Sequence, residues 1–240
     1  MTLQMQMAVS DVSEVLFARK YAYDILRRFF LEEPSQEYLK PFVQRNMINQ
    51  FPFLYDSPGI QEGVWDIQKY LQQHDVVNNK VIFEDLHWDF TRMTIGPFEL
   101  TVPPWESYYT RKNQLLFQEL TMDVRRTYKK FNYEVKEFNL EADDHIGLEL
   151  DFMYHLNSLA LQLENSSSKD SVELLSYLLQ EQDKFLKKHL LKFGPTFSNN
   201  MIKNAETGFY IGMAKILKHF LTLDSEVLHE LLNIEIVQKN

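Results

Sequence analysis

Apolar residues recur at helical spacing along almost the whole chain, and this periodicity restricts the fold more than any other feature. In the first such stretch, Phe29 follows Leu26 by three residues and Ile25 by four, so all three share one helix face. Only 7 glycines and 8 prolines occur in 240 residues, which disfavours a turn-rich β-sandwich. The sequence therefore predicts an all-α fold, a single-domain helical bundle of about eight to ten helices that comprises residues 1–240.

The charge balance restricts the partners that the protein can bind. Lys and Arg number 25 against 34 Asp and Glu, so the formal net charge is −9. General nucleic-acid binding needs a basic surface, so we predict no nucleic-acid partner and expect a positively charged one instead. The absence of cysteine excludes disulfides, zinc–thiolate sites, iron–sulfur clusters and a cysteine nucleophile. Neither a phosphate-binding glycine loop nor a nucleophile elbow is present, and we predict no cofactor.

Residues 1–10 contain neither the basic region nor the apolar region of a secretory signal. No apolar run approaches the roughly 18 residues that a membrane-spanning helix requires. We therefore expect a cytoplasmic protein without a membrane span.

One long break interrupts the helical periodicity, from Thr94 to about Ser107. Three of the prolines, Pro97, Pro103 and Pro104, lie in this stretch. Ordered loops of this length inside a compact domain are often functional. The loop is therefore the first place to expect a binding site.

A long and unusually apolar helix is predicted from about Asp143 to Leu163. At 100° per residue, Asp144 falls on a narrow polar stripe and should face water at the N-terminus of the helix. Glu149 falls within the apolar arc, so we expect it to be buried and paired with His145, one turn earlier. Two interpretations remain open: a structural His–Glu pair beside an aspartate that the helix dipole favours, or a functional site.

Short motifs in the second half of the chain resemble one known family. They are Gly96-Pro97, Pro103-Pro104-Trp105-Glu106-Ser107 with Tyr109, Glu141-Ala142-Asp143-Asp144-His145, and the set Phe197, Ala205, Phe209-Tyr210 and Leu217. Their order and spacing are similar to those of the TorD/DmsD/NarJ-type chaperones, maturation factors of molybdenum-containing redox enzymes.

The resemblance implies a non-enzymatic helical protein that binds the twin-arginine leader of a molybdopterin-containing oxidoreductase. Such a chaperone aids cofactor loading and delays export until the cofactor is in place. The implied partners are the leader peptide and the catalytic subunit of a molybdoenzyme. Whether the body of the enzyme is also bound, and whether the chaperone is a monomer or a domain-swapped dimer, stay open.

The resemblance also implies which residues bind the leader. They are Phe90, Met93, Thr94, Pro104, Trp105, Tyr109, Glu141, Asp144 and His145. Carboxylates can hold arginine bidentately, and aromatic side chains can supply most of the affinity. The alternative is that Phe90 and Met93 are ordinary core residues and that Trp105 is tucked into the core.

Two other classes of function stay open at this point. Glu84/His87 and Glu226/His229 have the Glu-x-x-His spacing of a di-metal enzyme, which needs both pairs on core helices. A hydrolase hidden in the bundle belongs to the same class. A helical adaptor that binds the folded enzyme without its leader is the other. Our prediction is a binding protein with no catalytic and no metal-binding residues.

Overall fold

The structure is a computed structural model and describes residues 6–97, 99–110, 119–135, 141–163 and 168–237. Ten α-helices account for most of these residues and confirm the all-α prediction. They are α1 Val9–Leu31, α2 Gln36–Gln44, α3 Pro58–Gln73, α4 Lys80–Thr94, α5 Glu106–Thr110, α6 Glu119–Lys130, α7 Ile146–Leu161, α8 Lys169–Lys188, α9 Leu190–Asn204 and α10 Gly208–Asn233.

Three short elements accompany the helices: a 3-10 helix, Met47–Gln50, and two strands, β1 Gln6–Ala8 and β2 Glu235–Val237. The strands pair in parallel, with Met7 opposite Ile236. This small ribbon, which the helical periodicity does not predict, joins the regions before α1 and after α10.

Capping residues set most helix starts. Ser57, Asn79 and Thr207 each accept a backbone N–H of the following turn, at the starts of α3, α4 and α10. Helix α1 begins at Val9 and carries Asp11 in its first turn.

Gly194 and Pro195, residue types that often end helices, lie inside one here. Helix α8 ends at Lys188, and α9 begins at Leu190 and continues through Pro195. The break lies at His189, whose backbone leaves the helical region. Proline removes one helical hydrogen bond, a loss that the packing around α9 tolerates.

Helix α7 packs along α1, and α10 packs against α3, α8 and α9. The crossing of α3 and α10 depends on glycine at Gly63 and Gly212. A Cβ at Gly63 would lie 2.6 Å from the carbonyl oxygen of Gly212, and one at Gly212 would lie 2.5 Å from that of Gly63. The two helices can therefore approach backbone to backbone only because both positions lack a side chain.

A buried polar network joins four helices at the centre of the core. Arg19 on α1 is fully buried and donates to both carboxylate oxygens of Asp224 on α10, at 2.6 and 3.0 Å. It also donates to Asn157 on α7 and Gln182 on α8, at 2.8 and 2.7 Å. Tyr23 donates its hydroxyl to Asp224 at 2.6 Å. The sequence analysis did not identify this network.

In the part of the chain that the structure describes, no helix has both the length and the apolar character needed to cross a membrane.

Candidate functional site

The two motif segments meet in space. The loop after α4 folds back along that helix, because the N–H of Val102 donates to the carbonyl of Met93 at 3.0 Å. Its last residues then pair with the turn before α7: Ile146 donates to the carbonyl of Pro104 at 2.8 Å. Trp105 and His145 form the resulting antiparallel bridge. The loop and the turn before α7 thus form one unit, although about forty residues separate them in the sequence.

Asp144 is the centre of this unit, and the prediction that it faces water is wrong. Its side chain has no exposed surface. One carboxylate oxygen accepts the N–H of Ser107 and the other accepts the hydroxyl of Thr121, both at 2.9 Å. Its carbonyl accepts the N–H of Glu106, also at 2.9 Å. Asp144 therefore fastens α5 and α6 to the start of α7.

The predicted pairing of His145 with Glu149 is also wrong. His145 is the N-cap of α7, and its Nδ1 accepts the N–H of Gly147 at 3.1 Å. This contact requires a neutral imidazole, since a protonated Nδ1 cannot accept. Burial lowers the pKa of His145 to about 4, against the raising effect of the Glu141 and Asp144 charges.

A pH dependence of stability follows from His145. Its pKa is 6.5 without the protein environment and about 4 in the fold, so between these values the unfolded chain binds the extra proton. The free energy of unfolding should therefore fall as the pH drops from 6.5 to 4, by at most about 3 kcal/mol. His145→Asn keeps an N-cap acceptor but cannot titrate. Urea unfolding over this range should show the wild type losing more stability than the variant as the pH falls. Parallel dependence of the two free energies of unfolding on pH would contradict this account.

Trp105 and Glu141 form the exposed part of the unit. Both are half-buried, and the indole N–H of Trp105 donates to Oε1 of Glu141 at 2.6 Å. The same oxygen accepts the N–H of Ala142 at 3.0 Å. Among the described residues, no hydrogen bond reaches Oε2 of Glu141. An aromatic surface and an available carboxylate oxygen thus lie side by side.

The other predicted site residues lie mostly inside the protein. Phe90, Met93, Thr94 and Pro104 are buried, and the ring of Phe90 stacks on Tyr210 with centroids 5.4 Å apart. The interpretation of Phe90 and Met93 as core residues is therefore confirmed. Pro104 instead carries the backbone contact to α7.

Tyr109 is half-buried on α5. Its ring packs against Phe193 on α9, with centroids 5.8 Å apart. Burial raises the pKa of its hydroxyl well above the usual range. Tyr109 therefore connects the exposed edge of the site with the core.

The outward face of α4 presents apolar side chains that the sequence analysis did not select. Trp88 and Ile95 are 57% and 56% exposed. Trp88 lies on α4, and Ile95 is the C-cap that follows its last residue, seven positions or about two turns further along. Asp85, one turn before Trp88, is exposed as well. Helical spacing could have indicated this face: if Phe90 and Met93 pack in the core, Trp88 must lie on the opposite side of the helix.

Three buried titratable side chains meet behind Asp144: Glu106 of α5, Glu149 of α7 and His189 between α8 and α9. Nδ1 of His189 lies 2.9 Å from Oε2 of Glu106. Burial, with the nearby charges of Glu106 and Asp144, raises the pKa of Glu149 well above its usual range. No sequence spacing indicated this cluster, because its members come from three distant segments.

The di-metal alternative fails on burial. Glu84, Glu226 and His229 are exposed, and Glu84 pairs with Lys80 at 3.3 Å. His87 lies 3.3 Å from Glu33 instead of facing a second Glu-x-x-His pair. Such a site needs both pairs on the inner faces of core helices.

Comparisons with known proteins agree with the motif resemblance. Residues 54–199 match the family model described as nitrate reductase delta subunit. The chain is 31% identical to chaperone protein TorD of Vibrio cholerae serotype O1 (El Tor Inaba) over 213 residues, 89% of this chain and 93% of the relative. It is 26% identical to TorD of Aliivibrio salmonicida over 211 residues, 88% of this chain and 94% of the relative.

A third relative, chaperone protein TorD of Vibrio vulnificus, is 30% identical over 210 residues, 88% of this chain and 94% of the relative. All three relatives carry the name of a chaperone, which confirms the prediction of a non-enzymatic protein. Together with the family match over residues 54–199, they show that this chain belongs to the TorD/NarJ-type family of redox-enzyme maturation chaperones.

Proposed function

We propose that this protein is a cytoplasmic chaperone that binds the twin-arginine leader of the catalytic subunit of a molybdoenzyme. Binding holds the subunit back from export while its molybdopterin cofactor is loaded. A leader of this kind carries two arginines beside an apolar stretch, so its receptor needs carboxylates next to exposed apolar side chains. The net charge of −9 favours the approach of such a basic peptide.

The observation that carries this proposal is the half-buried pair of Trp105 and Glu141. Oε1 of Glu141 is held by the indole and by the N–H of Ala142, so the carboxylate is already oriented. Oε2 is left to accept a guanidinium N–H, a charge-assisted contact stronger than one between neutral groups. The indole of Trp105 can take the aliphatic part of the same arginine or stack on its guanidinium.

Of the nine residues that the family resemblance implies, we assign direct contact with the leader to three: Trp105, Tyr109 and Glu141. The other six are buried and act from behind. They are Phe90, Met93, Thr94, Pro104, Asp144 and His145. Their packing and hydrogen bonds fix the loop and the turn before α7, which reduces the entropy lost when the peptide binds.

For the apolar stretch of the leader, we assign the exposed side chains of Trp88 on α4 and of Ile95 at the end of that helix. Ile95 follows Met93 by two residues, and the carbonyl of Met93 holds the loop through Val102. Trp88 extends this face by two turns, and Asp85 adds a negative charge beside it. The leader would thus run from Glu141 and Trp105 toward Ile95 and Trp88.

We expect a synthetic twin-arginine leader of the client enzyme to bind at micromolar affinity or better, about −8 kcal/mol. Glu141→Gln keeps the acceptor for the indole and removes the charge, so it should weaken binding at least about tenfold, or 1.4 kcal/mol. Isothermal titration calorimetry gives both values. Glu226→Gln, a change of the same kind at an exposed position on α10, is the matched control and should leave the affinity unchanged.

The same titration with a leader whose two arginines are glutamines tests the contact itself. That peptide should bind the wild type weakly, and it should bind Glu141→Gln with the same affinity as the wild type. An equal loss from Glu141→Gln for both peptides would show that Glu141 does not contact arginine.

Deleting the leader from the client enzyme distinguishes leader binding from the adaptor alternative. Co-purification of the enzyme subunit should be lost when its leader is deleted. Co-purification of the leaderless subunit would mean that the chaperone binds the folded enzyme instead of its leader.

A further inference from the structure

The cluster of Glu106, Glu149 and His189 has the composition of a metal site. One ligand atom from each residue lies within 4.8 Å of the other two. Their side chains are 1%, 0% and 3% exposed, so water does not solvate the carboxylates. Three elements hold the residues: α5, α7 and the break between α8 and α9.

Glu149 is the group that the fold leaves unexplained. Among the described residues, no hydrogen-bond donor reaches either of its buried carboxylate oxygens, and the polar group that it faces is the carboxyl of Glu106. A buried polar group without a partner is costly, and two buried carboxylates beside each other are more costly still. Either a proton or a cation must therefore lie between Glu149 and Glu106.

We propose that Glu106, Glu149 and His189 bind one divalent transition-metal ion, with Zn²⁺ as the best fit. Two carboxylates neutralise its charge, and a His nitrogen with carboxylate oxygens is a donor set that zinc accepts, usually with water as the fourth ligand. Ligands at about 2.0–2.2 Å from one zinc ion lie about 3.0–3.5 Å apart. The 2.9 Å between Nδ1 of His189 and Oε2 of Glu106 needs only a small change to meet this.

The surroundings of His189 supply an outer partner and a way in. When Nδ1 binds the ion, the ring proton moves to Nε2, which lies 3.8 Å from Oδ2 of Asp123, so a hydrogen bond forms only once one of these side chains turns toward the other. A carboxylate at that nitrogen is the usual means of orienting a metal-bound imidazole. An open cleft of about 230 Å³ between α6 and α8 has His189 and Asp123 in its lining. Glu106 and Glu149 do not line this cleft, and Arg126, Lys130, Lys184 and Lys188 do, so an ion would have to pass these cations and the ring of His189 to enter. Once bound, it would tie the loop that carries Trp105 (the Trp105 loop) to α7 and α9.

The test is a zinc titration of the full-length protein after removal of metal with a chelator. We expect calorimetry at neutral pH to give one Zn²⁺ per chain with a dissociation constant in the micromolar range or below. Zinc should also raise the melting temperature of the wild type. Glu149→Gln preserves the shape of the side chain and removes its charge, so it should fold and bind zinc at least tenfold more weakly.

Two further variants keep the result interpretable. Glu226→Gln with His229→Gln removes an exposed Glu-x-x-His pair and should leave zinc binding unchanged. Glu106→Gln should weaken binding as Glu149→Gln does, and it replaces that variant if Glu149→Gln does not fold. The proposal is overturned if the wild type binds no stoichiometric zinc, which would mean that the carboxyls share a proton. It is equally overturned if zinc binding survives both glutamine variants.

Discussion

Replacing Asp224 by alanine should lower the free energy of unfolding by about 3–5 kcal/mol, the usual cost of breaking a buried ion pair. The change leaves the guanidinium of Arg19 fully buried without its counter-charge. It also leaves the hydroxyl of Tyr23 without its acceptor. Because total stabilities are about 5–15 kcal/mol, this variant should be close to unfolding at 37 °C. Urea denaturation followed by circular dichroism measures the difference.

An exposed ion pair provides the control for Asp224→Ala. Lys80 lies 3.3 Å from Glu84 on the surface of α4, and 87% of its side chain is exposed. Lys80→Ala should therefore change the free energy of unfolding by less than about 1 kcal/mol. A loss of similar size in both variants would contradict a special role for the buried network.

Asp144→Ala should cost about 2–6 kcal/mol, since it leaves two buried donors without an acceptor and each costs about 1–3 kcal/mol. The donors are the N–H of Ser107 and the hydroxyl of Thr121. Asp144→Asn should cost less, because the hydroxyl of Thr121 can turn and accept from the new amide. Leader affinity should fall with Asp144→Ala because the Trp105 loop loses its anchor, although Asp144 does not touch the peptide.

A double-mutant cycle tests this account of Asp144. Thr121→Val removes one of the two donors, so Asp144→Ala combined with Thr121→Val should cost less than the two single losses added together. Additive losses would show that the hydroxyl and the carboxylate do not interact. Thermal melts of the four proteins supply the comparison, and leader titrations of the folded variants show whether binding follows stability.

The two motif segments that the sequence singled out lie together in the fold, but the sequence did not predict the orientation of single residues within them. The Trp105 loop and the turn at Asp144 do meet. The helical wheel failed for Asp144 because α7 begins at Ile146, so Asp144 lies in the turn before the helix, where steps of 100° per residue do not apply. The predicted pairing of His145 was wrong for the same reason, since His145 is the N-cap of the helix and not part of its first turn.

In helix α7, periodicity locates only a narrow, half-buried polar stripe that contains Asp151, His155 and Ser158. Leu148, Glu149 and Leu150 are all buried, although they point in different directions around the helix. The buried arc therefore covers most of the helix, and spacing alone does not say which neighbour each buried side chain faces. The burial of Glu149 was therefore predictable, but the neighbour it faces was not.

The sequence by itself determined the helical class, the family and the two motif segments that meet at Trp105. These properties depend on local spacing, on the shortage of glycine and proline, and on short motifs. Only the tertiary structure decided the partners of the buried charges. Arg19 meets Asp224 across 205 positions, and Glu106 meets His189 across 83. A buried charge takes the complementary group that packing places beside it, so its partner depends on how distant helices cross and not on spacing along the chain.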